Sequence, residues 1–414
     1  MRITPCCIAL LFASHVTPGS SAEPPVRPGD RIAIVGNTFA DQLRIHGYLE
    51  TLLLQHWKDD SVSVRNLGWG GDMLSARDRP TGFPSEASTL TAHQTDVIIA
   101  CFGMGESFAG EKGLTEFKND LEAFIAEHAG KKYNGESEVR LILVSPIAQE
   151  DLGELTPARE QRNRELKAYT RAMAEVAASK KTPFVDLFEP SLYLMDERAG
   201  PNLTTNGIHL TPFGHWAISH TFLTQLIKGA PSPGERPWQL RVDLRTGSAE
   251  ALGVSIFELT ANDTEISFQV LEESAPSLPP PTGDPLPPQL EEQRDTLSVN
   301  GLKPGTYELK VDGKSVAIAN EKGWSEGVAI DSTPAHSAVE AYRAAVNEKN
   351  LQFTYSWKAL NQVHIVGERR KSPSGRALPK EVIEFGKLAD QLDADLRNGI
   401  ESKTRLWVLS RIKQ

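Results

Sequence analysis

Between residues 30 and 229, five short apolar runs accompany long helix-like patterns, and this alternation constrains the fold more than any other feature. The candidate strands are Arg31–Val35, Val62–Leu67, Val97–Phe102, Leu141–Val144 and Phe184–Val185. The clearest helical patterns are Ala40–Trp57, Leu114–Glu127, Arg159–Ala178 and His215–Ile227. Strands separated by helices build βαβ units, so the pattern predicts an α/β domain whose parallel sheet carries helices on both faces.

The size and charge of the chain limit what else it can be. A chain of 414 residues is too long for one ordinary core, so two or three domains are expected. The formal net charge of −10 argues against wholesale binding to nucleic acid or to an anionic membrane. Past residue 22, no segment approaches the roughly 18 apolar residues that span a bilayer, so no membrane insertion is predicted.

The first 22 residues have the pattern of a secretory signal peptide. A basic residue precedes an apolar core, and small residues suit cleavage after Ala22. The sequence therefore predicts an exported protein, periplasmic or secreted. Cys6 and Cys7 would leave with the peptide, so the mature chain would keep only Cys101 and could form no internal disulfide. Because Cys101 lies in an apolar run, we expect a buried, inert thiol.

The chain divides further on either side of the α/β region. Residues 23–29 form a Pro-rich linker, and the pattern changes again after residue 229. From 230 to 334, short alternating apolar runs predict a β-sandwich-like module. Its Pro-dense stretch Ser277–Pro288 is expected to be an exposed loop. Asp312-Gly313 lies between two alternating runs and predicts a β-hairpin.

The last region, residues 335–414, is expected to be partly α-helical and partly extended. Ala335–Asn347 and Glu381–Asn398 show helical patterns, and a short tail follows the second of them. Leu351–Val366 is aromatic and alternating. The aromatic side chains of this region either return to the cleft of the first domain or act as packing anchors.

Four polar blocks follow the apolar runs of the α/β region. They are Gly36–Thr38, Asn66–Asp72, Phe102–Ser107 and Asn206–His215. The first three lie at the C-terminal ends of candidate strands, where open α/β sheets place their binding sites. The fourth directly precedes the last helix of the domain.

Thr38 has two possible roles within the first block. Its hydroxyl can cap the following helix, with Asp41 three residues later completing a pair like a capping box. A hydroxyl at a strand's C-terminal end and a helix N-terminus also stands where such sheets carry out chemistry. This stretch alone favours the cap.

The order and spacing of the four blocks resemble the SGNH (GDSL-type) esterase and lipase family, over about residues 30–229. More narrowly, the Gly-Asn-Thr block and the appended β module resemble a secreted bacterial branch of that family. The resemblance implies a flavodoxin-like three-layer domain that hydrolyses esters without a cofactor. A small-molecule or carbohydrate ester would be the substrate. No His, Cys, Asp or Glu cluster has metal-ligand spacing, so no metal is expected.

The resemblance also implies roles for individual residues. Thr38 would be the nucleophile, His209 the general base, and Asn206 the residue that orients His209. The backbone N–H groups of Thr38 and Gly71 would form the oxyanion hole. The residues expected to line the cleft are Trp69, Gly105, Glu106 and Asn361.

Three of these positions depart from the family pattern. Thr38 replaces a serine, and its β-methyl group stiffens the side chain and crowds the nucleophile. Asn206 replaces an aspartate, so it can accept a hydrogen bond from His209 without stabilising an imidazolium by charge. Gly105 replaces an asparagine that would donate to the oxyanion. Asn361 or Arg369–Arg370 are candidate substitutes for that donor.

Other interpretations of these residues remain open. His209 lies between apolar Ile208 and Leu210, which alone favours a structural role, whereas its block favours a base. Trp69 is either a wall for a sugar or acyl group or a packing residue. Glu106 either lines the cleft or caps the following turn.

The altered key positions also support a hypothesis from another class. The chain would then be a catalytically decayed SGNH-fold protein that binds a glycan or another ligand without turning it over. The β module would give it a second binding surface.

Overall fold

The computed structural model describes residues 23–58, 62–80, 82–196, 200–228, 237–262, 264–273, 275–281, 283, 285–360 and 371–412. The predicted signal peptide, Asn361 and Arg369–Arg370 lie outside the described residues.

Five parallel strands form the first sheet, in the order β2-β1-β3-β4-β5. They are β1 (Arg31–Gly36), β2 (Ser63–Asn66), β3 (Val97–Cys101), β4 (Arg140–Val144) and β5 (Phe184–Val185). This order confirms the predicted flavodoxin-like topology. The strand order reverses between β1 and β3, so a crevice opens beyond the C-terminal ends of these two strands.

Seven helices accompany this sheet in the described part of the chain. They are α1 (Thr38–His46), α2 (Tyr48–His56), α3 (Glu86–His93), α4 (Leu114–His128), α5 (Arg159–Lys180), α6 (Phe188–Asp196) and α7 (Pro212–Leu226). Successive side chains of a strand point to opposite faces. Ile32 and Ile34 therefore pack with α2 and α7, and Ala33 and Val35 with α4 and α5. This is the predicted three-layer arrangement.

One predicted helix, Ala40–Trp57, is two helices in the structure. Gly47 separates α1 from α2 with a φ of 64°, and its N–H donates to Leu43 O. A Cβ atom at Gly47 would lie 2.2 Å from Asn347 Oδ1. The break therefore admits a close approach by the C-terminal region, which the local pattern cannot reveal.

The second part of the chain is a β-sandwich whose two sheets share one core, as predicted. The first sheet has the order β13-β10-β6-β7 and the second β12-β11-β14-β9-β8. The strands are β6 (Gln239–Asp243), β7 (Ser248–Leu252), β8 (Val254–Ala261), β9 (Glu265–Glu272), β10 (Thr296–Asn300), β11 (Thr306–Val311), β12 (Lys314–Asn320), β13 (Val328–Ala329) and β14 (Thr404–Arg411). Asp312 and Gly313, with φ values of 49° and 79°, join β11 to β12 as the predicted hairpin.

The C-terminal region differs from its prediction in two places. Its helices are α10 (Pro334–Trp357) and α11 (Pro373–Leu396), after the short helices α8 (Pro288–Glu291) and α9 (Glu321–Glu326). The alternating stretch from Leu351 to Trp357 therefore continues a helix. The predicted tail contains β14, which lies between β9 and β11 because Trp407 and Leu409 complete the sandwich core. None of the described helices is both long and apolar enough to cross a membrane.

Two segments, one predicted to be a linker and the other an exposed loop, pack against the first domain. Val26, within the Pro-rich stretch 23–29, is fully buried, and its N–H donates to Leu226 O at 3.0 Å. In the Pro-dense loop, Leu278 and Leu286 are buried, and Leu278 O accepts from Trp216 Nε1 at 2.8 Å. The prediction of an exposed loop is therefore wrong for these two leucines, because their apolar side chains pack into the core of the first domain.

A buried polar cluster lies where the sandwich meets α10. Asp295 accepts hydrogen bonds from Trp238 N, Ser277 N and His336 Nε2, at 2.8, 2.8 and 3.1 Å. Glu272 lies nearby, is only 3% exposed, and its Oε1 has no hydrogen-bond partner among the described residues. Burial raises the pKa of Glu272 from 4.5 to about 7. The charge of Asp295 raises this pKa further, whereas the charges of His336 and Arg405 lower it.

This raised pKa predicts a pH-dependent stability. The folded protein binds a proton at Glu272 up to about pH 7, whereas the unfolded chain releases it near pH 4.5. The free energy of unfolding therefore falls by about 3 kcal/mol as the pH rises through this window. Glu272→Gln is expected to be more stable than the wild type at pH 8 and nearly equal to it at pH 4.5, as measured by denaturant unfolding.

The exposed Glu265 on the same strand provides a matched control. Glu265→Gln should leave the pH dependence of unfolding unchanged. Equal effects of Glu272→Gln at both pH values would contradict the prediction.

Candidate active site

Thr38 lies in the crevice beyond β1 and β3. Gly36 makes the turn that leads to it, with a φ of 127°, and a Cβ atom there would lie 2.1 Å from Cys101 O. Asn37 is the N-cap of α1, since its Oδ1 accepts from Phe39 N at 3.0 Å. Thr38 is therefore the first residue of the helix, and its predicted role as the cap is wrong. Its hydroxyl is left available for chemistry.

The glycine loop after β2 packs directly against the start of α1. Asn66 holds it there, because Nδ2 donates to Ala40 O at 2.7 Å and Oδ1 accepts from Gly68 N at 2.9 Å. Gly71 N donates to Thr38 Oγ1 at 3.2 Å. The structure thus brings together two residues that the sequence predicted to act together.

Asn206 and His209 lie in a tight loop before α7. Asn206 Oδ1 accepts from the backbone N–H groups of His209 at 3.0 Å and of Ile208 at 3.4 Å. Asn206 Nδ2 contacts His209 Nδ1 at 3.0 Å. A rotated amide would turn its NH₂ group toward two N–H donors, so the backbone determines which end of the amide faces the imidazole.

This orientation decides the tautomer of His209. An amide NH₂ can only donate, so Nδ1 must accept, and the neutral ring then carries its proton on Nε2. A protonated Nε2 cannot take a proton from a nucleophile. Within the described residues, no hydrogen bond joins Thr38 Oγ1 to His209. Asn206 and His209 are therefore in contact, but the direction of their hydrogen bond is opposite to the predicted one.

Glu150, which follows β4, holds the loop of Asn206 and His209. One carboxylate oxygen accepts from Leu203 N at 2.9 Å, and the other accepts from Thr204 N and Thr204 Oγ1, both at 2.6 Å. The N–H of Glu150 also donates to Gly207 O at 2.9 Å. Glu150 is only 6% exposed. Sequence reasoning missed it, because it lies more than fifty positions from the loop that it organises.

The amide variant Glu150→Gln should misplace His209. In either orientation, its NH₂ group would face N–H or O–H donors of Leu203 and Thr204. We expect kcat for ester hydrolysis to fall about tenfold to a hundredfold with little change in KM, since small displacements of a reacting group carry such costs. Steady-state kinetics and the imidazole NMR signals of His209 would measure this.

Exposed Glu154, in the neighbouring short 3-10 segment, is the control. Glu154→Gln should match the wild type in both measurements. An unchanged His209 spectrum in Glu150→Gln would contradict the positioning role.

The block after β3 has Gly105 where the resemblance places an asparagine, and a neighbouring side chain packs against this glycine. A Cβ atom at Gly105 would lie 2.9 Å from Met73 Cγ and 3.1 Å from its Sδ. Met73 therefore occupies the space that the side chain of an asparagine at position 105 would enter. Glu106 joins two loops, because its carboxylate accepts hydrogen bonds from Leu74 N at 2.9 Å and from Gly103 N at 2.8 Å. Burial raises the pKa of Glu106 despite these hydrogen bonds.

Trp69 is held mainly by packing. Arg79 Cζ lies 4.5 Å and Lys358 Nζ 5.0 Å from its ring centroid, and the rings of Phe83 and Trp357 lie 5.5 and 5.7 Å away. Four side chains thus surround the indole, which favours the packing interpretation.

The end of α10 reaches this part of the site. Lys358 Nζ donates to Asp41 Oδ1 at 2.6 Å, in the first turn of the helix that carries Thr38. The structure thus brings part of the aromatic C-terminal stretch back to the cleft. Nothing in the local sequence around Lys358 predicts its contact with Asp41.

Three further ionisable side chains are held by an ion pair or by burial. Asp72 pairs both carboxylate oxygens with Arg79 at 2.8 and 2.6 Å. His215 is buried against His46, with ring centroids 4.5 Å apart, and burial lowers the pKa of His215 to about 3. Cys101 is buried, as predicted, and burial raises the pKa of its thiol. No group of potential metal ligands occurs among the described residues.

The first domain has an SGNH-like α/β fold, with a hydroxyl after β1, a glycine loop after β2 and a histidine before the last helix. Residues 29–217 match the model of the GDSL-like Lipase/Acylhydrolase family. A comparison with curated proteins gave no match.

Solved structures extend the similarity beyond the first domain. A gut microbial diltiazem-metabolizing enzyme, BT4096, is 17% identical, with a TM-score of 0.70, and the match covers 95% of this chain and 99% of that one. Axe2, an acetylxylan esterase from Geobacillus stearothermophilus, is 18% identical with a TM-score of 0.37, over 48% of this chain and 94% of that one. At 17% identity the similarity to BT4096 establishes the fold alone, and it includes the β module and the C-terminal helices.

Proposed function

We propose that this protein is an exported ester hydrolase in which Thr38 is the nucleophile and His209 the general base. The proposal rests on the half-buried Thr38 hydroxyl, which accepts from Gly71 N at the switch point of a parallel sheet. It is supported by the acylhydrolase-family match of the surrounding segment. A small-molecule or carbohydrate ester is the proposed substrate, and no nucleic acid is involved. Export depends on the signal peptide predicted in residues 1–22.

The proposed reaction has two halves. Thr38 Oγ1 attacks the ester carbonyl while His209 Nε2 takes its proton, and the N–H groups of Thr38 and Gly71 hold the oxyanion. Collapse expels the alcohol, which receives its proton from His209. A water molecule, deprotonated by His209, then releases the acid and restores Thr38.

The orientation of Asn206 sets the expected rate. Attack requires an unprotonated Nε2, whereas the amide contact favours the ring that carries its proton there. We therefore propose a slow hydrolase, because only a minor tautomer is competent.

The same contact favours a second candidate function. A His209 ring that presents Nε2–H to the cleft can donate a hydrogen bond to a ligand carbonyl. The protein would then bind an ester or glycan without hydrolysing it.

Hydrolysis of p-nitrophenyl acetate distinguishes the two functions. The slow hydrolase predicts turnover that His209→Ala and Thr38→Val abolish, and a Thr38 peptide that carries one acetyl group in mass spectra of the quenched reaction. Thr246→Val, on the exposed surface of the sandwich, is the matched control and should retain full activity. Equal rates in the wild type, His209→Ala and Thr38→Val, over a panel of short-chain and sugar esters, would favour binding without turnover.

A further inference from the structure

A separate cavity of about 640 Å³ lies beside the edge strand β2, between α3 and the helices α10 and α11. Arg31 and Ser63, the first residues of β1 and β2, line one end of it. Thr38 follows the opposite end of β1, and the strand from Arg31 to Gly36 spans about 17 Å at ~3.3 Å per residue. The cavity is therefore distinct from the candidate active site, and its volume is in the range of small-molecule sites.

Two buried polar atoms and one half-buried guanidinium line this one cavity without partners among the described residues. Trp357 is 6% exposed, and its Nε1–H has no hydrogen-bond partner in the part of the chain that the structure describes. His93 Nε2 is likewise buried and without a partner. The Arg31 guanidinium makes no hydrogen bond or ion pair with any residue that the structure describes. Buried polar atoms nearly always find partners, so the two buried atoms beside an unpaired guanidinium indicate a missing ligand.

The charges around the cavity favour an anion. Arg65 is buried and bonds Asp390 at 2.8 Å and Asp393 at 3.1 Å. Asp393 also accepts from Ser63 Oγ at 2.7 Å, and Arg397 lies 3.5 Å from it. Both carboxylates are thus already engaged, and the Arg31 charge is left uncompensated.

The remaining wall is aromatic. Phe353 and Trp357 both line the cavity, and their rings are parallel within 7°, with centroids 6.0 Å apart. Burial and the neighbouring Arg65 lower the pKa of His93 to about 3, so its ring stays neutral and forms part of this wall.

We propose that this cavity binds an organic carboxylate with an apolar, ring-containing body. The Arg31 guanidinium holds the anion, and Trp357 Nε1–H donates to one of its oxygens. Phe353 and the indole of Trp357 contact the apolar body. This site does not depend on the proposed hydrolytic reaction, because it shares no residue with Thr38, Asn206 or His209.

Calorimetric titration of the full-length purified protein with hydrocinnamate tests the proposal. We expect saturable binding of one molecule per chain, at least about tenfold tighter than that of the neutral amide hydrocinnamamide, since charge-assisted hydrogen bonds are the strong ones. Arg31→Gln and Trp357→Phe should each weaken hydrocinnamate binding, the first by about tenfold or more. Trp357→Phe keeps the aromatic wall, so it tests the N–H donor even if Arg31→Gln fails to fold.

Two controls locate the binding event. Arg241→Gln changes an exposed arginine of the sandwich and should leave the affinity unchanged. Thr38→Val alters the candidate active site and should also leave it unchanged. No saturable binding, equal affinity for acid and amide, or loss of binding in Thr38→Val but not in Arg31→Gln and Trp357→Phe would overturn the proposal.

Discussion

Replacing Asn206 by aspartate is expected to raise kcat for ester hydrolysis by about two to four orders of magnitude. A carboxylate oxygen at this position can still accept from the backbone N–H groups of His209 and Ile208, which Asn206 Oδ1 now engages. Its other oxygen would accept from His209 Nδ1 and leave Nε2 free to act as the base. In a serine protease triad, the reverse exchange lowers kcat by about 10⁴ through the wrong tautomer. The lower end of the range allows for the exposed position of Asn206, where water competes for these contacts.

The gain should appear in kcat, with KM nearly unchanged, when p-nitrophenyl acetate hydrolysis is compared between Asn206→Asp and the wild type. Imidazole ¹⁵N NMR should show the His209 proton moving from Nε2 to Nδ1. Asn202→Asp, an exposed position in the same loop, adds the same charge and should change neither quantity. A moved proton without a gain in rate would show that the tautomer is not what limits the reaction.

Lys349→Ala is expected to lower the free energy of unfolding by about 3–5 kcal/mol. Lys349 is fully buried, pairs with Glu50 of α2, and donates to Val64 O at 2.8 Å. Asn350 Nδ2 donates to the other carboxylate oxygen of Glu50 at 2.7 Å. Removing the ammonium group leaves the Glu50 carboxylate buried with too few partners, which costs far more than the pair itself contributes. Denaturant unfolding would measure the loss.

Two further variants test this explanation. Lys387→Ala removes an exposed lysine of α11 and should change the free energy of unfolding by no more than about 0.5 kcal/mol. Replacing both partners, Lys349→Met with Glu50→Leu, should recover most of the loss, because no charge is then left buried. A double variant as unstable as Lys349→Ala would contradict the argument.

The elements whose limits depend on the local sequence pattern were predicted well. All five strands of the parallel sheet lie within one or two residues of their predicted limits, because their apolar runs are buried on both faces. The hairpin at Asp312-Gly313 follows from backbone preferences of those two residues alone. The break at Gly47 and the central position of β14 depend on distant partners, so they were not predictable in the same way.

Within the candidate site, the sequence by itself determined which residues could meet. It placed Thr38, Gly71 and His209 at the ends of strands and loops that a parallel sheet brings to one edge. Only the tertiary structure decided what each of them can do. Asn37 rather than Thr38 caps the helix, the backbone of the loop turns the Asn206 amide group toward His209, and Met73 occupies the space beside Gly105. These outcomes depend on the direction of individual hydrogen bonds and on packing between loops far apart in the chain. Residue types and spacing carry no information about either.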